Sequence, residues 1–172
     1  GVWVAMKTVT EVVEASASVV VDPERVDIQL PADFRMPPAG LNIRWPDAAL
    51  EMEARLLDYK LYAALAYCRA NRLNHTVIDS PQARFGIVAS GKAYLDTRQA
   101  LTDLGLDEET CARIGLRLFK CGMVWPLEAQ TIRGFAEGLE EILVVEEKRQ
   151  LIEYQFKEEL FSWIGSGKRI PR

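Results

Sequence analysis

The segment Phe85-Gly-Ile-Val-Ala89 is short, apolar and rich in β-favouring residues, and it decides the fold together with two similar segments. These are Leu116-Arg-Leu-Phe-Lys-Cys121 and Ile142-Leu-Val-Val145. Continuous apolar strands are typical of parallel sheets that are covered on both faces. Helix-compatible segments follow them, at residues 93–104, 127–138 and 148–163. Because right-handed βαβ crossovers make such strands parallel, the sequence predicts a three-layer α/β/α fold with a mainly parallel sheet.

Two further helices are predicted beside this core. Apolar residues recur at steps of three and four between Asp47 and Leu73, which indicates a long helix with Asp47 as its N-cap. Cys68 lies on the apolar stripe of that helix and is interpreted as an inert structural thiol. A shorter helix is expected after Asp107, its N-cap.

The amino-terminal part predicts less regular structure. Residues 7–20 have helical spacing, and residues 26–30 alternate as a half-buried strand does. A proline-containing loop follows, in which Leu41, Ile43 and Trp45 alternate with polar residues, so one side of it is expected to lie against another surface. His75 falls in a polar stretch and is interpreted as a solvated loop residue.

Composition excludes several classes of protein. The chain has 172 residues, 49% of them hydrophobic, with a net charge of −4. The longest apolar run is far below the ~20 residues of a membrane-spanning helix, and no basic block indicates nucleic acid as a partner. Three cysteines without a C-x-x-C pair and one histidine indicate neither a disulfide framework nor a metal site, and favour a reducing cytoplasm.

Three segments are expected at the carboxyl edge of the sheet, where ligands bind in open α/β folds. Ser90-Gly91-Lys92 has the parts of an anion site, or is a plain strand-to-helix turn. Trp125-Pro126 places a proline at a helix start, and Trp125 either anchors an interface or plugs the edge of the sheet. Glu146 and Glu147 either do acid/base work or make local ion pairs with Lys148 and Arg149 beside a helix N-terminus, and Glu146 is also a candidate interface residue.

Signals of catalysis are absent from the sequence. No Ser or Cys has a nearby histidine base, since His75 is remote, and no G-x-G-x-x-G opens a helix after a strand. The chain by itself does not have the pattern of an enzyme.

Six stretches resemble an internal section of the large, fused indolepyruvate ferredoxin oxidoreductases of bacteria. The resemblance extends over nearly the whole chain with few gaps. The stretches are Gly1–Glu14, Gly40–Asp47, Val77–Pro81, Gly86–Asp96, Gly122–Glu128 and Leu143–Arg149.

The resemblance implies a parent enzyme that oxidatively decarboxylates an aryl 2-oxo acid to an aryl-acetyl-CoA. That family uses thiamine diphosphate with Mg, iron–sulfur clusters and CoA as cosubstrate, and it passes electrons to ferredoxin. A homo-oligomer and contacts with other domains of the same polypeptide are also implied. The section resembles the transketolase C-terminal domain, with residues 1–20 as the last helix of a preceding domain, 21–46 as a connector, 47–164 as the α/β domain and 165–172 as a tail.

The family's motifs for thiamine and for iron–sulfur clusters have no match in this sequence, so no catalytic or cofactor residue is carried over. The main hypothesis is a non-catalytic α/β domain of such an oxidoreductase, inactive alone and binding no cofactor. Two alternatives stay open: an independent nucleotide- or anion-binding module that uses the three strand-end turns, and a protein-interaction domain built on the same fold. The candidate binding residues are Ser90, Gly91 and Lys92, for an anion or CoA, and the candidate interface residues are Trp45, Trp125 and Glu146.

Overall fold

Helices and loops make up the chain as far as Asn71. The computed structural model describes residues 2–38, 40–42 and 45–172, and it divides after Asn71 into two units that we describe separately. The first unit contains α1 (Thr10–Val13), a 3₁₀ helix (Pro23–Arg25), α2 (Ala49–Arg55), a π-helix (Leu56–Lys60) and α3 (Leu61–Ala70).

The long helix expected between Asp47 and Leu73 is confirmed, because α2, the π-helix and α3 follow one another without a break. The expected N-cap is wrong. Ala48 occupies that position, and no side chain caps the helix there. The Asp47 carboxylate instead lies 3.7 Å from Nη2 of Arg55, so it is used by an ion pair within the same unit.

Two elements expected nearer the amino terminus do not form. Only Thr10–Val13 of the expected helix at residues 7–20 is helical, and none of its residues is buried. Residues 26–30 form no strand, and Leu30 is 87% exposed. Short helices and single strands are unstable without packing partners. Residues 10–13 bury no side chain, and the backbone of Gln29 bonds to the side chain of Asn71 in place of a neighbouring strand. The expectation for Ile43 lies outside the described residues.

A four-stranded sheet forms the centre of the second unit. Its strands are β1 (Asn74–Ile78), β2 (Phe85–Ser90), β3 (Leu116–Cys121) and β4 (Glu141–Val145), in the order β1-β3-β2-β4. β2 is parallel to both β3 and β4, with Ile87 opposite Leu118 and Leu143. The three strands predicted from apolar runs are therefore confirmed, together with their parallel direction.

The strand β1 was not predicted from the sequence, and it corrects the expectation for His75. β1 pairs with β3 in the antiparallel direction, with His75 opposite Lys120. His75 is thus a half-buried strand residue and not a solvated loop residue. The polar residues at the start of β1 hid the strand signal, because sequence reasoning weights apolar alternation most strongly.

Four helices cover the two faces of the sheet: α4 (Gly91–Asp103), α5 (Glu108–Ile114), α6 (Ala129–Ala136) and α7 (Ile152–Leu160). Asp107 caps α5 as expected, since its Oδ1 accepts the Thr110 N–H at 2.8 Å. The expected start of the helix after β3 is wrong: α6 begins at Ala129 with Glu128 as its N-cap, so Pro126 precedes the helix.

The hydrophobic core lies in two layers on either side of the sheet. On one face, Val88 and Phe119 pack against α6 and α7, and the rings of Phe119 and Phe135 lie 4.9 Å apart. On the other face, Ile87 and Leu118 pack with residues of α4 and α5. Helices on both faces of a mainly parallel sheet confirm the predicted three-layer α/β/α architecture.

Gly86 on β2 allows α6 and the residues after it to approach the sheet closely. A Cβ atom at Gly86 would lie 2.6 Å from Cδ1 of Leu139 and 2.9 Å from Cζ of Phe135. Any larger side chain at this position would overlap Leu139 and Phe135. Close packing therefore explains why the apolar segment at residues 85–89 contains a glycine.

No helix in the described ranges has the length and the apolar character that crossing a bilayer requires.

Candidate functional site

The carboxyl edge of the sheet brings together the segments that the sequence singled out. Ser90 ends β2, Cys121 ends β3 and Val145 ends β4, and these three strands run in one direction. Because β1 is antiparallel, its first residue lies at the same edge, with Asn74 opposite Cys121. The four strands therefore present one continuous rim for ligands or neighbouring domains.

Asn74 fixes the turn that follows β3. This side chain is buried, and its Oδ1 accepts the N–H groups of Gly122 at 2.9 Å and Met123 at 2.8 Å. Its Nδ2 donates to the Met123 carbonyl at 3.0 Å. The Asn74 side chain is buried and the three bonds are partly buried, so their loss would be costly and they hold the turn after β3 in place.

Gln155, on α7, fixes the next part of the same loop. Its Oε1 accepts the Leu127 N–H at 2.9 Å, and its Nε2 donates to the Val124 carbonyl at 2.9 Å and the Leu151 carbonyl at 2.8 Å. The side chain is only 7% exposed. One amide thus ties the loop after β3 to the first turn of α7.

Glu128 completes the fixation where the loop enters α6. Its carboxylate is 1% exposed and accepts the N–H groups of Gln130 at 3.1 Å and Thr131 at 2.7 Å, together with the Thr131 hydroxyl. The negative charge also lies at the positive end of the α6 dipole.

Trp125 lies in the middle of this fixed loop and is 57% exposed. The buried side chains that hold the loop bond to backbone groups on either side of Trp125, so the indole is presented by a rigid support without being buried itself. Because more than half of its surface is exposed, Trp125 does not plug the edge of the sheet. The interface alternative stays a prediction.

Glu146 follows β4 and caps α7. Its Oε1 accepts the N–H groups of Leu151 at 3.0 Å and Ile152 at 2.8 Å, and its Oε2 accepts the Glu153 N–H at 3.1 Å. The expected position beside a helix N-terminus is correct. The expected local ion pair is wrong, because both oxygens of Glu146 accept backbone N–H groups and no ion pair to it forms among the described residues. A role at an interface stays a prediction.

Ser90, Gly91 and Lys92 form the junction between β2 and α4. Ser90 is the N-cap residue, but its hydroxyl makes no capping bond, and Gly91 has φ of +52°. The Lys92 ammonium lies 2.7 Å from the carboxylate of Asp96, one turn further along α4. The anion-binding role of this junction stays a prediction.

Sequence reasoning missed a pair of strand residues, His75 and Lys120, on the α4 side of this rim. Lys120 lies over the ring of Tyr94, 5.1 Å from its centroid, and His75 is directly opposite Lys120 in the sheet. Nδ1 of His75 is buried and has no hydrogen-bond partner among the residues that the structure describes. The signal that could have found the pair is the run Thr76-Val-Ile78, whose β-branched residues favour a strand.

The cysteines do not fit an iron–sulfur cluster. Cys111 and Cys121 are buried in the two core layers on opposite faces of the sheet, and Cys68 is buried in the first unit. Burial raises the pKa of the Cys111 thiol, which disfavours the thiolate that binds metal. Within residues 2–38, 40–42 and 45–172, no three His, Cys, Asp or Glu side chains are grouped so as to hold a metal ion. The cysteines in the described part of the chain therefore do not match an iron–sulfur cluster.

Trp45 belongs to the first unit and is 95% exposed. Its interface role, like that of Trp125, stays a prediction.

The second unit is an α/β/α domain. The loops at the carboxyl edge of its sheet are held by hydrogen bonds to four side chains, those of Asn74, Glu128, Glu146 and Gln155. The family model for the indolepyruvate ferredoxin oxidoreductase middle domain matches residues 74–169. The chain belongs to this family, and the predicted family membership is confirmed.

The chain is also similar to subunits of indolepyruvate oxidoreductases. An indolepyruvate oxidoreductase subunit IorA from Thermococcus kodakarensis is 32% identical over 90 residues, which are 52% of this chain and 12% of the relative. The subunit of the same name from Methanothermobacter marburgensis is 31% identical over 108 residues, 63% of this chain and 16% of the relative. The chain thus corresponds to less than a fifth of the length of these relatives, all of them subunits by name.

Proposed function

We propose that this chain is a non-catalytic α/β domain of an indolepyruvate ferredoxin oxidoreductase. The parent protein would be a cytoplasmic enzyme that oxidatively decarboxylates arylpyruvates to aryl-acetyl-CoA and passes the electrons to ferredoxin. Thiamine diphosphate with Mg and the iron–sulfur clusters would be held by parts of the protein outside this chain. Other domains of the same polypeptide are its nearest partners in this proposal.

The observation that carries the proposal is the family match at residues 74–169, which coincides with the unit that begins at Arg72 and holds the whole sheet. The roles of the polar groups at the rim support the non-catalytic part. Asn74, Gln155, Glu128 and Glu146 are used by backbone groups of the loops and helix starts. Groups engaged in this way fix the rim's shape and are not positioned as acids or bases toward an open site.

The proposal is tested with the full-length protein that contains this chain. We expect the purified protein to reduce ferredoxin, or a viologen dye in its place, in a reaction that requires both indolepyruvate and CoA. The 172-residue chain alone is the matched negative control and should give no turnover. No activity of the full-length protein with any arylpyruvate would contradict the proposed reaction.

The non-catalytic role needs its own variants in the full-length protein. His75→Gln and Ser90→Ala remove candidate proton-transfer and nucleophilic groups with small changes of volume. We expect kcat to stay within about threefold of the wild type for both. Loss of a general acid or base typically lowers the rate by ~10² to 10⁴, so a decrease of that size with an intact cofactor content would place catalysis in this domain.

A second candidate function is an anion contact at Ser90, Gly91 and Lys92. The observation that favours it is that the Ser90 hydroxyl makes no capping bond to the first N–H groups of α4, with which a phosphate would bond in its place. Lys92 is the second residue of this helix. An incoming phosphate would compete with Asp96 for Lys92.

Titration of the chain with CoA, and separately with pyrophosphate, tests this contact. Binding should shift the amide signals of Gly91 and Lys92, and Lys92→Ala should abolish the shifts. In the full-length protein the same variant should raise the KM for CoA and leave that for indolepyruvate unchanged. If the amide signals do not shift at millimolar ligand concentrations, the junction is only a strand-to-helix turn.

A further inference from the structure

Most of the Lys and Arg side chains in the second unit lie beside a carboxylate. Within residues 72–172, all of which the structure describes, nine of these side chains form an ion pair. The positively charged residues of this range that form no ion pair with any described residue are Arg72, Arg113, Lys120, Lys148 and Arg149. Their places in the fold are informative because they are not scattered.

Four of these five side chains lie at or next to the carboxyl edge of the sheet. Arg72 comes two residues before β1, which begins at this edge. Lys120 is the residue before the end of β3, and Lys148 and Arg149 follow β4. Arg113 is the exception, since it lies in the last turn of α5, shortly before β3 begins at the opposite edge. Positive charge without an ion-pair partner is therefore concentrated at one edge of an acidic chain.

The carboxylates at this edge are used in other ways. Glu128 and Glu146 accept backbone N–H groups at the starts of α6 and α7, whose partial positive charge offsets theirs. Asp96 lies 2.7 Å from the ammonium group of Lys92. Glu147 is exposed and is the exception among them. The edge therefore keeps an excess of positive charge that the unit itself does not neutralise.

The unpaired cations lie at the two ends of the edge. Arg72 belongs to the β1 end and Lys148 and Arg149 belong to the β4 end, and β1 and β4 are the outer strands of the sheet. Three strand spacings separate these ends by about 14 Å. That distance exceeds the Debye length of about 8 Å at physiological ionic strength. A single phosphate or carboxylate cannot contact both ends, so only an extended partner with several negative groups uses all of these cations.

Trp125 lies between the two charged ends. It follows β3, which is an inner strand, and its indole is 57% exposed on a loop that Asn74 and Gln155 hold. A central aromatic anchor with charged groups around it is the usual anatomy of a protein–protein interface. Nucleic-acid sites combine aromatic residues with a continuous positive groove, which the exposed Glu147 interrupts here. The arrangement therefore favours a protein as the partner.

We propose that the carboxyl edge of the sheet is an interaction surface for an acidic surface on another domain of the full-length protein. Trp125 enters an apolar pocket of that surface, and carboxylates on two sides of the pocket pair with Arg72 and with Lys148 and Arg149. The inference rests on the proposed function, because it requires this chain to be one domain of a longer polypeptide. Pairing at two separated points fixes the orientation of the two domains, as charge complementarity does at other interfaces.

Carbodiimide crosslinking of the full-length protein tests the proposal, because this reagent joins a lysine amine directly to a carboxylate in contact with it. We expect Lys148 to be joined to an Asp or Glu outside this chain. Lys168, whose ammonium lies 3.0 Å from Glu137, is the internal control and should be joined to that residue. If the control forms while Lys148 is joined only to carboxylates of this chain, or to none, the proposal is overturned.

The other end of the edge is tested with Arg72→Lys, which places a reactive amine there. The introduced amine should be joined to a second carboxylate outside this chain, in the same domain that Lys148 reaches. Coupling of the two ends to different domains, or no coupling at the β1 end, overturns the single acidic surface. The readout needs no turnover, so failure of the oxidoreductase assay and failure of this surface are told apart.

Charge reversal separates docking from a structural role. In the full-length protein, the double variant Lys148→Glu and Arg149→Glu should raise hydrogen exchange at residues 122–128 by at least about threefold, because like charges now oppose the acidic partner. In the 172-residue chain the same variant should leave this exchange unchanged. Arg113→Glu is the matched control, since it reverses an unpaired cation at the opposite edge, and should change neither. Equal effects of the double variant in the chain and in the full-length protein would overturn the proposal.

Discussion

Asn74 and Met123, which are 49 positions apart in the sequence, are joined by two hydrogen bonds through one amide side chain. The Met123 N–H donates to Oδ1 of Asn74 at 2.8 Å, and Nδ2 donates back to the Met123 carbonyl at 3.0 Å. The Asn74 side chain thereby links the start of β1 to the loop that carries Trp125. The order of this loop depends on long-range polar pairing more than on its own apolar residues.

The first prediction concerns this pair. Asn74→Ala should lower the free energy of unfolding by about 1–3 kcal/mol, because the partly buried N–H and carbonyl groups of Met123 lose their partner. Urea titration followed by circular dichroism measures the effect. Gln130→Ala, which removes an exposed amide of α6, is the control and should change stability by less than about 0.5 kcal/mol. Equal effects of the two substitutions would contradict the role given to Asn74.

The three parallel strands could be predicted from the sequence because apolar residues dominate each of them and helices cover both faces of the sheet. The residues of β2 alternate between the two core layers, with Ile87 in one and Val88 in the other. Both faces are apolar, so composition alone carries the signal. The same reasoning missed β1, because Asn74 and His75 are polar residues whose places are set by partners across the sheet.

The sequence predicted where the candidate residues lie on the sheet, but it predicted only some of the contacts that hold them. The parallel order implied that Ser90, Trp125 and Glu146 follow strands at one edge, and they do. The role of Gln155 in holding this loop could not be predicted, because it depends on α7 packing beside a loop that lies about 30 residues earlier in the chain. Long-range polar contacts of this kind leave no local spacing in the sequence.

The second prediction concerns the close approach at Gly86. Gly86→Ala should destabilise the protein by about 1–3 kcal/mol, because the added Cβ atom overlaps the side chains of Leu139 and Phe135. Gly134→Ala is the matched control, since no atom beyond its own helix lies within 4 Å of the added methyl group. In the interior of α6 that substitution should stabilise by about 0.5–1 kcal/mol. Thermal unfolding of both variants under one condition compares them, and the same sign of change for both would refute the packing role.

The third prediction concerns the pH dependence of stability at Asp107. The backbone N–H of Thr110 lowers the pKa of the Asp107 carboxyl in the folded protein. A lowered folded-state pKa means that the carboxylate stabilises the protein above its unfolded-state pKa, about 3.9. That contribution is lost as the pH falls through the folded-state value.

The comparison of wild type with Asp107→Ala tests this dependence. The urea midpoint of the variant should lie below that of the wild type at neutral pH, and the difference should shrink as the pH is lowered below about 3.9. Asp107→Asn keeps a capping oxygen without the charge, so its difference from Asp107→Ala should vary little with pH. A difference between wild type and Asp107→Ala that stays constant through the acid range would show that charge at this cap contributes nothing.

The last prediction separates support of the fold from contact with a neighbour. Trp163 is 5% exposed and packs in the core layer with α7, so Trp163→Ala should destabilise the chain by about 3–5 kcal/mol. Trp125 is 57% exposed on a loop that other side chains hold, so Trp125→Ala should cost the chain less than about 1 kcal/mol.

In the full-length protein the effect of Trp125→Ala should increase. Aromatic anchors at interfaces typically contribute 2 kcal/mol or more, so hydrogen exchange in the loop at residues 122–128 should rise by at least about tenfold, while the sheet stays protected. Unchanged exchange in that loop, with Trp125 equally accessible to chemical modification in the chain and in the full-length protein, would mean that no neighbouring domain covers the indole. The rigid presentation of Trp125 would then serve a partner that binds from outside.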